Sequence, residues 1–181
     1  MENFVQVQLF TEEECSRILE MPVNLVDRST MSSYKPDWFH GNLYRGTLDR
    51  VIQPEGWVKD RLKSLLRLEG YGTLEGFWPL IYKEYADGTS MSELGYHTDS
   101  AKGIKRAGVT IPLNADYVGG EFQFLQWGKG MYDNEVFSKS ISTKIGLATI
   151  FPIFIPHRVT KVTAGIRKQL VTWLTGPQLN W

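Results

Sequence analysis

From residue 76 onward the sequence is a succession of short apolar or alternating runs separated by turn residues. The runs cover residues 77–85, 107–113, 121–125, 145–151, 158–162 and 166–175, and glycine-containing turns stand between them at 87–88, 119–120, 128–130 and 163–165. Short strands at such intervals, with no helical pattern between them, are typical of an antiparallel sandwich or barrel. This part of the chain therefore predicts a mainly β fold.

The residues before this β region have a mixed character. Residues 4–10 alternate as a strand does, and Thr11 stands three residues before Glu14, the spacing of a capping box. The helix that begins there is expected to run to about Met21, and a second helical pattern with one apolar stripe covers residues 56–68. We therefore predict one domain over residues 1–181.

In this prediction, residues 1–75 form a helical or mixed N-terminal layer that packs on the outside of a β-core at 76–177. The chain has 181 residues, which suits one domain of ordinary size. It has one cysteine, so no internal disulfide can form, and Cys15 is expected to be a small buried side chain.

Charge and hydropathy restrict the partners of this chain. Lysine plus arginine number 20 and aspartate plus glutamate number 20, a balance that disfavours a protein that binds mainly nucleic-acid phosphates. The basic run at 102–106 keeps a nucleic-acid partner open, although a solvated loop is the simpler interpretation. The N-terminus has no basic region followed by an apolar core, and no run approaches the roughly 18 apolar residues of a membrane span. We therefore expect a cytoplasmic protein with no membrane partner.

Two of the three histidines stand in a pattern that suits a metal site. His97 lies in 'Gly-Tyr-His-Thr-Asp', so that Asp99 follows it by two, and His157 comes much later in 'Pro-His-Arg-Val'. Side chains two apart on a strand project from the same face, so His97 and Asp99 can point together into a barrel. Two imidazoles and one carboxylate on one side of an ion leave the other positions open, as in iron(II) oxygenases. His40 belongs to no such pattern, and we interpret it as structural or exposed.

The segment after His157 predicts a second functional group. Residues 157–167 look like a strand, a tight turn at 163–165 and an antiparallel return strand, which would place Arg167 beside the strand of His157. A buried arginine is costly unless it is paired, and its planar guanidinium suits bidentate pairing with a carboxylate. Arg167 is therefore a candidate for binding an acidic ligand.

The segment from about Phe77 to Pro177 resembles the catalytic core of the 2-oxoglutarate/iron(II)-dependent dioxygenases. The resemblance is to the prolyl/lysyl hydroxylase branch, with its PKHD-type and prolyl 4-hydroxylase-like enzymes, and rests on residues 96–99, 111–114, 117–122, 146–152 and 157–167 in this order. It implies a double-stranded β-helix, a jelly-roll or cupin-like barrel whose mouth holds the iron. It also implies that the N-terminal helices pack on the outside of that barrel.

Carried over residue by residue, the resemblance makes His97, Asp99 and His157 the iron ligands. It makes Arg167 the group that binds the distal carboxylate of 2-oxoglutarate, and these four are the implied catalytic residues. Collagen-type prolyl hydroxylases generally have lysine at this last position, so Arg167 favours the PKHD and hypoxia-type enzymes.

The resemblance also implies residues that line the co-substrate pocket. Trp173 and Val159 match pocket-lining positions, and both are expected to face inward. Many relatives carry a tyrosine three residues before the first iron-binding histidine, but here that residue is Leu94. Tyr85 or Tyr96 is therefore expected to offer a hydroxyl to the co-substrate.

The implied activity is hydroxylation of an unactivated C–H bond with iron(II), 2-oxoglutarate and dioxygen, and with ascorbate as an accessory reductant. A prolyl residue of a protein or peptide is the first substrate expected from the resemblance. Lysyl, nucleobase and small-metabolite substrates stay open, as does a non-catalytic jelly-roll binding module. Residues 127–142 could form a lid on the substrate side, although packing is the simpler interpretation.

Overall fold

The computed structural model of the chain describes residues 4–26, 49–52, 54–89, 91–99, 104–127 and 136–177. His40, Lys102 and residues 128–135, half of the proposed lid segment at 127–142, lie outside the described residues. The two helices are α1 (Glu12–Leu19) and α2 (Gly56–Ser64). The strands are β1 (Val5–Gln8), β2 (Val23–Val26), β3 (Asp49–Ile52), β4 (Gly76–Phe77), β5 (Ile81–Ala86), β6 (Leu94–His97), β7 (Lys105–Pro112), β8 (Tyr117–Gly119), β9 (Phe122–Trp127), β10 (Val136–Ser140), β11 (Leu147–Pro152), β12 (His157–Val159) and β13 (Val162–Thr175).

Helix α1 begins at the predicted capping box. The Thr11 hydroxyl accepts from the backbone N–H of Glu14 at 3.1 Å, and the Glu14 carboxylate accepts from the backbone N–H of Thr11 at 2.9 Å. The helix ends at Leu19, two residues before the predicted end. Cys15 is fully buried on its inner face, as predicted, and this burial raises the pKa of the thiol to about 12.

Helix α2 carries the predicted apolar stripe toward the sheet. Val58 and Leu62 are completely buried, and Leu65 has 1% of its surface exposed. The predicted helix over 56–68 is therefore correct in its face but not in its length, because Leu65–Arg67 tighten into a 3-10 turn. None of the helices in the described part of the chain has the length and apolar character that crossing a membrane requires.

Two antiparallel sheets make up most of the described chain. The larger has the strand order β1-β11-β7-β13-β5-β3-β2, with β4 and β8 also paired to β13, and the smaller has the order β10-β9-β12-β6. The prediction of a mainly β jelly roll is confirmed. Strands from the N-terminal part extend the larger sheet at its edges, since β1 pairs with β11 and β3 pairs with β5.

The buried side chains form two separate clusters. The first lies between the helices and the outer face of the larger sheet, where Ile18 and Leu62 share a core with Val109 and Leu170. The second lies inside the sandwich and is rich in aromatic residues: Tyr85, Phe122, Phe124 and Phe151 together with four aliphatic side chains. The helices thus pack on the outside of the β sandwich, as expected, and the inner cluster surrounds the candidate site.

The long strand β13 corrects one prediction. No tight turn interrupts it at 163–165, and β13 pairs with β5, β7, β4 and β8 rather than with β12. Gly165 has a φ of +75°, and a Cβ there would lie 2.5 Å from the Asp116 carbonyl oxygen. This glycine therefore allows an irregular, close contact with β8 instead of a chain reversal. Arg167 consequently lies in a different sheet from His157.

The described part of the basic run at 102–106 also differs from the expected solvated loop. Lys105 and Arg106 are the first residues of β7, and both are partly buried. The Lys105 ammonium lies 3.6 Å from the ring centroid of Trp173, and the Arg106 guanidinium donates to the Pro177 carbonyl. Both positively charged groups therefore make contacts within the protein itself.

Two further parts of the chain, residues 77–85 and 127–142, differ from their predicted structure. Residues 77–85 are not one strand, because Pro79, which has no N–H to donate, separates β4 from β5. Within the segment 127–142, the structure places strand β10, which pairs with β9 along its whole length.

Candidate metal centre

His97, Asp99 and His157 converge on one point between the sheets. His97 ends β6 and His157 begins β12, where the two residues are direct cross-strand partners with ring centroids 4.3 Å apart. The Asp99 carboxylate lies 3.9 Å from His97 Nε2 through Oδ1 and 3.6 Å from His157 Nε2 through Oδ2. One ligand atom from each residue lies within 4.8 Å of the others. The structure therefore brings together the three residues that the sequence indicated.

Asp99 reaches this point in a different way from the one predicted. Strand β6 ends at His97, so Asp99 is not on the same strand face. Its backbone N–H instead donates to the Ile153 carbonyl at 2.9 Å, in the turn between β11 and β12. The expected alternation was wrong for this residue, and a backbone hydrogen bond to a distant turn positions its carboxylate.

A bulge in β6 also shapes the site. His97 pairs with His157 and Leu94 pairs with Val159, so β6 has one residue more than β12 between the two pairs. As a result, Leu94 and His97 both line the same cavity although they are three residues apart.

Backbone carbonyls fix the orientation of both imidazoles. His97 Nδ1 lies 2.8 Å from the Gly95 carbonyl oxygen, and His157 Nδ1 lies 2.9 Å from the Ile155 carbonyl oxygen. Because a carbonyl can only accept, Nδ1 carries the proton in each ring, and the Nε2 lone pair of the neutral form faces Asp99. Burial lowers the pKa of His157, an effect that Asp99 partly opposes. Burial therefore favours the neutral form that binds a metal ion.

An aromatic layer surrounds His157 on the protein side. The rings of Phe151, Phe122 and Phe124 lie 4.6, 5.6 and 6.4 Å from its ring centroid. Gly108 completes this packing, because a Cβ there would lie 2.6 Å from Phe151 Cζ and 3.0 Å from Asp99 Oδ2. The sequence analysis did not identify Gly108. An isolated glycine inside a strand pattern was the available signal, since it often marks a close approach.

The cavity beside the three residues is small, about 40 Å³, and opens to solvent. The other residues that line it come from both sheets: Lys83, Tyr85, Leu94, Val109, Thr110, Phe122, Phe151, Val159, Gln169, Val171 and Trp173. Val159, Trp173 and Tyr85 therefore lie where the sequence analysis expected them.

Tyr96 does not line this cavity. Its hydroxyl is hydrogen bonded to Ser138 Oγ, and the Arg158 guanidinium lies 4.6 Å from its ring centroid. Neighbouring strand residues point to opposite faces, and Tyr96 directly precedes the cavity-lining His97. Of the two tyrosines expected to reach the co-substrate, the structure places only Tyr85 at the cavity.

Arg167 is completely buried behind this cavity on β13. One of its terminal nitrogens, Nη1, donates to Gln169 Oε1, whereas Nε and Nη2 are buried and make no well-aligned hydrogen bond among the described residues, with the Tyr117 hydroxyl as the nearby acceptor of the guanidinium. Its guanidinium carbon lies 5.6 Å from the Tyr85 ring centroid. Burial lowers the pKa of Arg167, and the nearby Tyr117 and Tyr85 oppose this effect.

These observations fit an iron(II) ion and an acidic co-substrate. Two imidazole nitrogens and one carboxylate are the donor set of an iron site with open positions. Buried guanidinium nitrogens without partners are costly, and a carboxylate is the group that would satisfy them. The metal-binding atoms line the cavity, and the guanidinium lies behind its wall, in the opposite sheet.

Comparisons with known proteins give structural but not sequence matches. No family model matches the chain, and no curated protein matches it in sequence. A prolyl-4-hydroxylase from Pseudomonas putida superposes with a TM-score of 0.57 at 15% identity, over 99% of this chain and 88% of that one. The viral collagen prolyl hydroxylase of Paramecium bursaria Chlorella virus-1, solved with 2-oxoglutarate, gives 0.59 at 14% identity, over 97% and 96%.

A prolyl hydroxylase from Trichoplax adhaerens, in complex with a peptide of the hypoxia inducible factor oxygen degradation domain, gives a TM-score of 0.62 at 16% identity. The match covers 96% of this chain and 83% of that one. At such identities the matches show the fold. The chain therefore has the fold found in prolyl hydroxylases and other 2-oxoglutarate/iron(II) oxygenases. A fold alone does not define an activity, which depends on the residues of the site.

Proposed function

We propose that this protein is an iron(II)- and 2-oxoglutarate-dependent dioxygenase that hydroxylates an unactivated C–H bond. One arrangement carries the proposal: the Nε2 atoms of His97 and His157 and the Asp99 carboxylate face one another at a cavity backed by a buried guanidinium that has no carboxylate partner and two nitrogens without a well-aligned hydrogen bond among the described residues. A purely structural cluster would not need an arginine left in this state, because each unsatisfied buried donor lowers the stability of the fold.

The residues of the chain have distinct tasks in this reaction. His97, His157 and Asp99 would hold the iron through one atom each, and Arg167 would supply the positive charge for the distal carboxylate of 2-oxoglutarate. Bound iron and 2-oxoglutarate supply the oxidising chemistry, in which dioxygen is used and succinate and carbon dioxide are released. The aromatic layer around His157 excludes water from one side of the site, which strengthens the interactions inside it.

For the substrate, we propose a prolyl residue of a protein or peptide. The support is the resemblance of residues 77–177 to the prolyl hydroxylase branch, together with the fold shared with three prolyl hydroxylases, one of them bound to a peptide. Lysyl residues, nucleobases and small metabolites are the alternatives to be compared, because the same fold carries several activities.

The activity test measures succinate formed from 2-oxoglutarate by the iron-loaded, purified protein under air. We expect slow turnover in the wild type and none in Asp99→Asn, which keeps the shape of the side chain but loses its charge. Asp87→Asn is the matched control, since Asp87 lies in an exposed turn and contacts the Gly88 N–H at 2.9 Å. Equal succinate formation by the wild type and Asp99→Asn would contradict the proposal.

The substrate test adds candidate molecules to the same reaction. Proline-containing peptides, lysine-containing peptides, DNA oligonucleotides and small acids are incubated separately, and mass spectrometry looks for the gain of one oxygen atom. We expect the gain on a proline-containing peptide. A gain confined to another class would overturn the prolyl assignment, and iron binding without any succinate would favour the non-catalytic binding module.

A further inference from the structure

Gln169 separates the cavity from the guanidinium of Arg167. Both residues lie on β13, two positions apart and therefore on the same face of the strand. Gln169 lines the cavity and has 3% of its surface exposed, whereas Arg167 is completely buried behind it. A ligand that enters the cavity thus meets the carboxamide of Gln169 before it meets Arg167.

Two hydrogen bonds fix the orientation of this carboxamide. Its Oε1 accepts from Arg167 Nη1 and, at 3.1 Å, from the Thr110 hydroxyl, a bond between two buried side chains. Because both lone-pair positions of the oxygen are used by donors, the NH₂ end has to face the other way. One of its N–H groups donates to the Tyr85 hydroxyl oxygen at 3.5 Å, and Tyr85 also lines the cavity. Gln169 therefore presents an N–H donor, not an acceptor, on the cavity side.

Arg167 has little room to move past Gln169. Its Cδ lies 2.9 Å from the position that a Cβ on residue 120 would take, and only the hydrogen of Gly120 allows this approach. Val162 and Tyr117 line the same narrow space around Gly120. The charge is therefore held in place, and its contact with Gln169 polarises the amide toward the cavity.

We propose that Gln169 is the residue that contacts the far carboxylate of the co-substrate, with Tyr85 beside it and Arg167 acting partly through its amide. This inference rests on the proposed function, since it assigns a binding group for the co-substrate named there. It also defines a preference: the site suits a 2-oxo acid with a second carboxylate, which accepts from the Gln169 NH₂ and lies near the buried positive charge.

The test measures binding rather than turnover. The full chain is loaded with Mn²⁺ in place of iron, and the dissociation constants of 2-oxoglutarate and of 2-oxobutyrate are measured by calorimetry. The second acid keeps the 2-oxo acid end but has no far carboxylate. Gln169→Ala and the isosteric Gln169→Glu are compared with the wild type. Gln6→Ala, on β1, is the control variant, because the side-chain NH₂ of Gln6 donates to the Ser142 carbonyl and the Thr149 hydroxyl.

We expect Gln169→Ala to weaken 2-oxoglutarate binding about tenfold, which corresponds to the loss of one hydrogen bond to a charged group. Gln169→Glu is expected to weaken it further, because its carboxylate pairs with Arg167 and faces the ligand with like charge. Binding of 2-oxobutyrate should stay within about twofold in both variants, a result that a general structural defect would not produce.

Three results would overturn the inference. Tighter binding of 2-oxoglutarate to Gln169→Ala would mean that the side chain only blocks access to Arg167. Unchanged binding in both variants would remove Gln169 from the site. A parallel loss for both acids would indicate a structural role. If the wild type itself binds no 2-oxoglutarate, the proposed function fails as well, and this outcome is distinct from the other three.

Discussion

Replacing Arg167 by methionine should stabilise the ligand-free protein while removing its response to 2-oxoglutarate. The side chain is completely buried, and its Nε and Nη2 make no well-aligned hydrogen bond among the described residues. Two such donors cost about 1–3 kcal/mol each, whereas the bond to Gln169 contributes about 1.5–3 kcal/mol. Methionine fills a similar volume without these groups. We therefore expect the free energy of unfolding to rise by about 2 kcal/mol, a net of these opposing terms.

For a domain of this size, that change raises the melting temperature by about 4–8 °C. The assay is thermal unfolding of the wild type, Arg167→Met and Lys168→Met, without ligand and with 2-oxoglutarate on the Mn²⁺-loaded protein. Lys168 is the matched control, because it precedes Gln169 on the opposite strand face and is only partly buried. Wild type and control should gain about 2.7 kcal/mol at a ligand concentration of 100 times Kd, and Arg167→Met should gain much less. A ligand-free Arg167→Met that melts below the wild type would refute the reasoning.

Other substitutions and reagents give independent tests. Gly108→Ala should lower the free energy of unfolding by about 1–3 kcal/mol through overpacking, because the new Cβ meets Phe151 and Asp99. The same contact with Asp99 should weaken Mn²⁺ binding in a titration, and unchanged metal affinity would contradict this prediction. Thr11→Ala should lower the melting temperature by about 2–4 °C, the effect of losing about 1 kcal/mol of capping, with no change in metal binding. Cys15 should react with iodoacetamide only in denaturant, since its thiol is buried and its pKa is about 12; rapid labelling of the folded protein would show that α1 detaches.

The convergence of His97, Asp99 and His157 was predictable from the sequence, whereas the position of Arg167 beside the strand of His157 was predicted wrongly. A His-x-Asp pair before a later histidine, within a β pattern, indicated the convergence that the structure shows. The contacts that hold these side chains in position were less predictable. Asp99 depends on a hydrogen bond to the Ile153 carbonyl, and this contact joins residues that are far apart in sequence. No local periodicity reports such a contact.

The connection between β12 and β13 shows a second limit of sequence reasoning. A glycine-containing break between two β runs predicts a hairpin, and here the prediction of adjacent strands was wrong. In a sandwich, consecutive strands can belong to opposite sheets, and the choice depends on which apolar face each strand buries. Gly165 therefore marks a close contact with β8. In the sequence, a glycine at such a contact cannot be told from a glycine in a turn.

Gln169 is a cavity residue that the sequence analysis did not single out. Alternation with Arg167 and Trp173 places it on their strand face, but a polar residue in a β run is normally assigned to the solvent side, and alternation alone does not identify its partners. Its burial becomes understandable only with Arg167 and Thr110, which satisfy its oxygen from two different strands. Buried polar groups of this kind depend on tertiary partners, and these become visible only in the structure.

Under the proposed function, the two sheets carry different binding groups, and the distance between the sheets sets what size of acid can bind. The histidines belong to the four-stranded sheet, whereas Gln169 and Arg167 belong to the nine-stranded one. Facing sheets pack about 10 Å apart, and here the phenylalanine layer fills that gap. The span from metal to anchoring charge is thus a property of core thickness. Smaller or larger core side chains would change the accepted carbon-chain length without altering any atom that touches the acid.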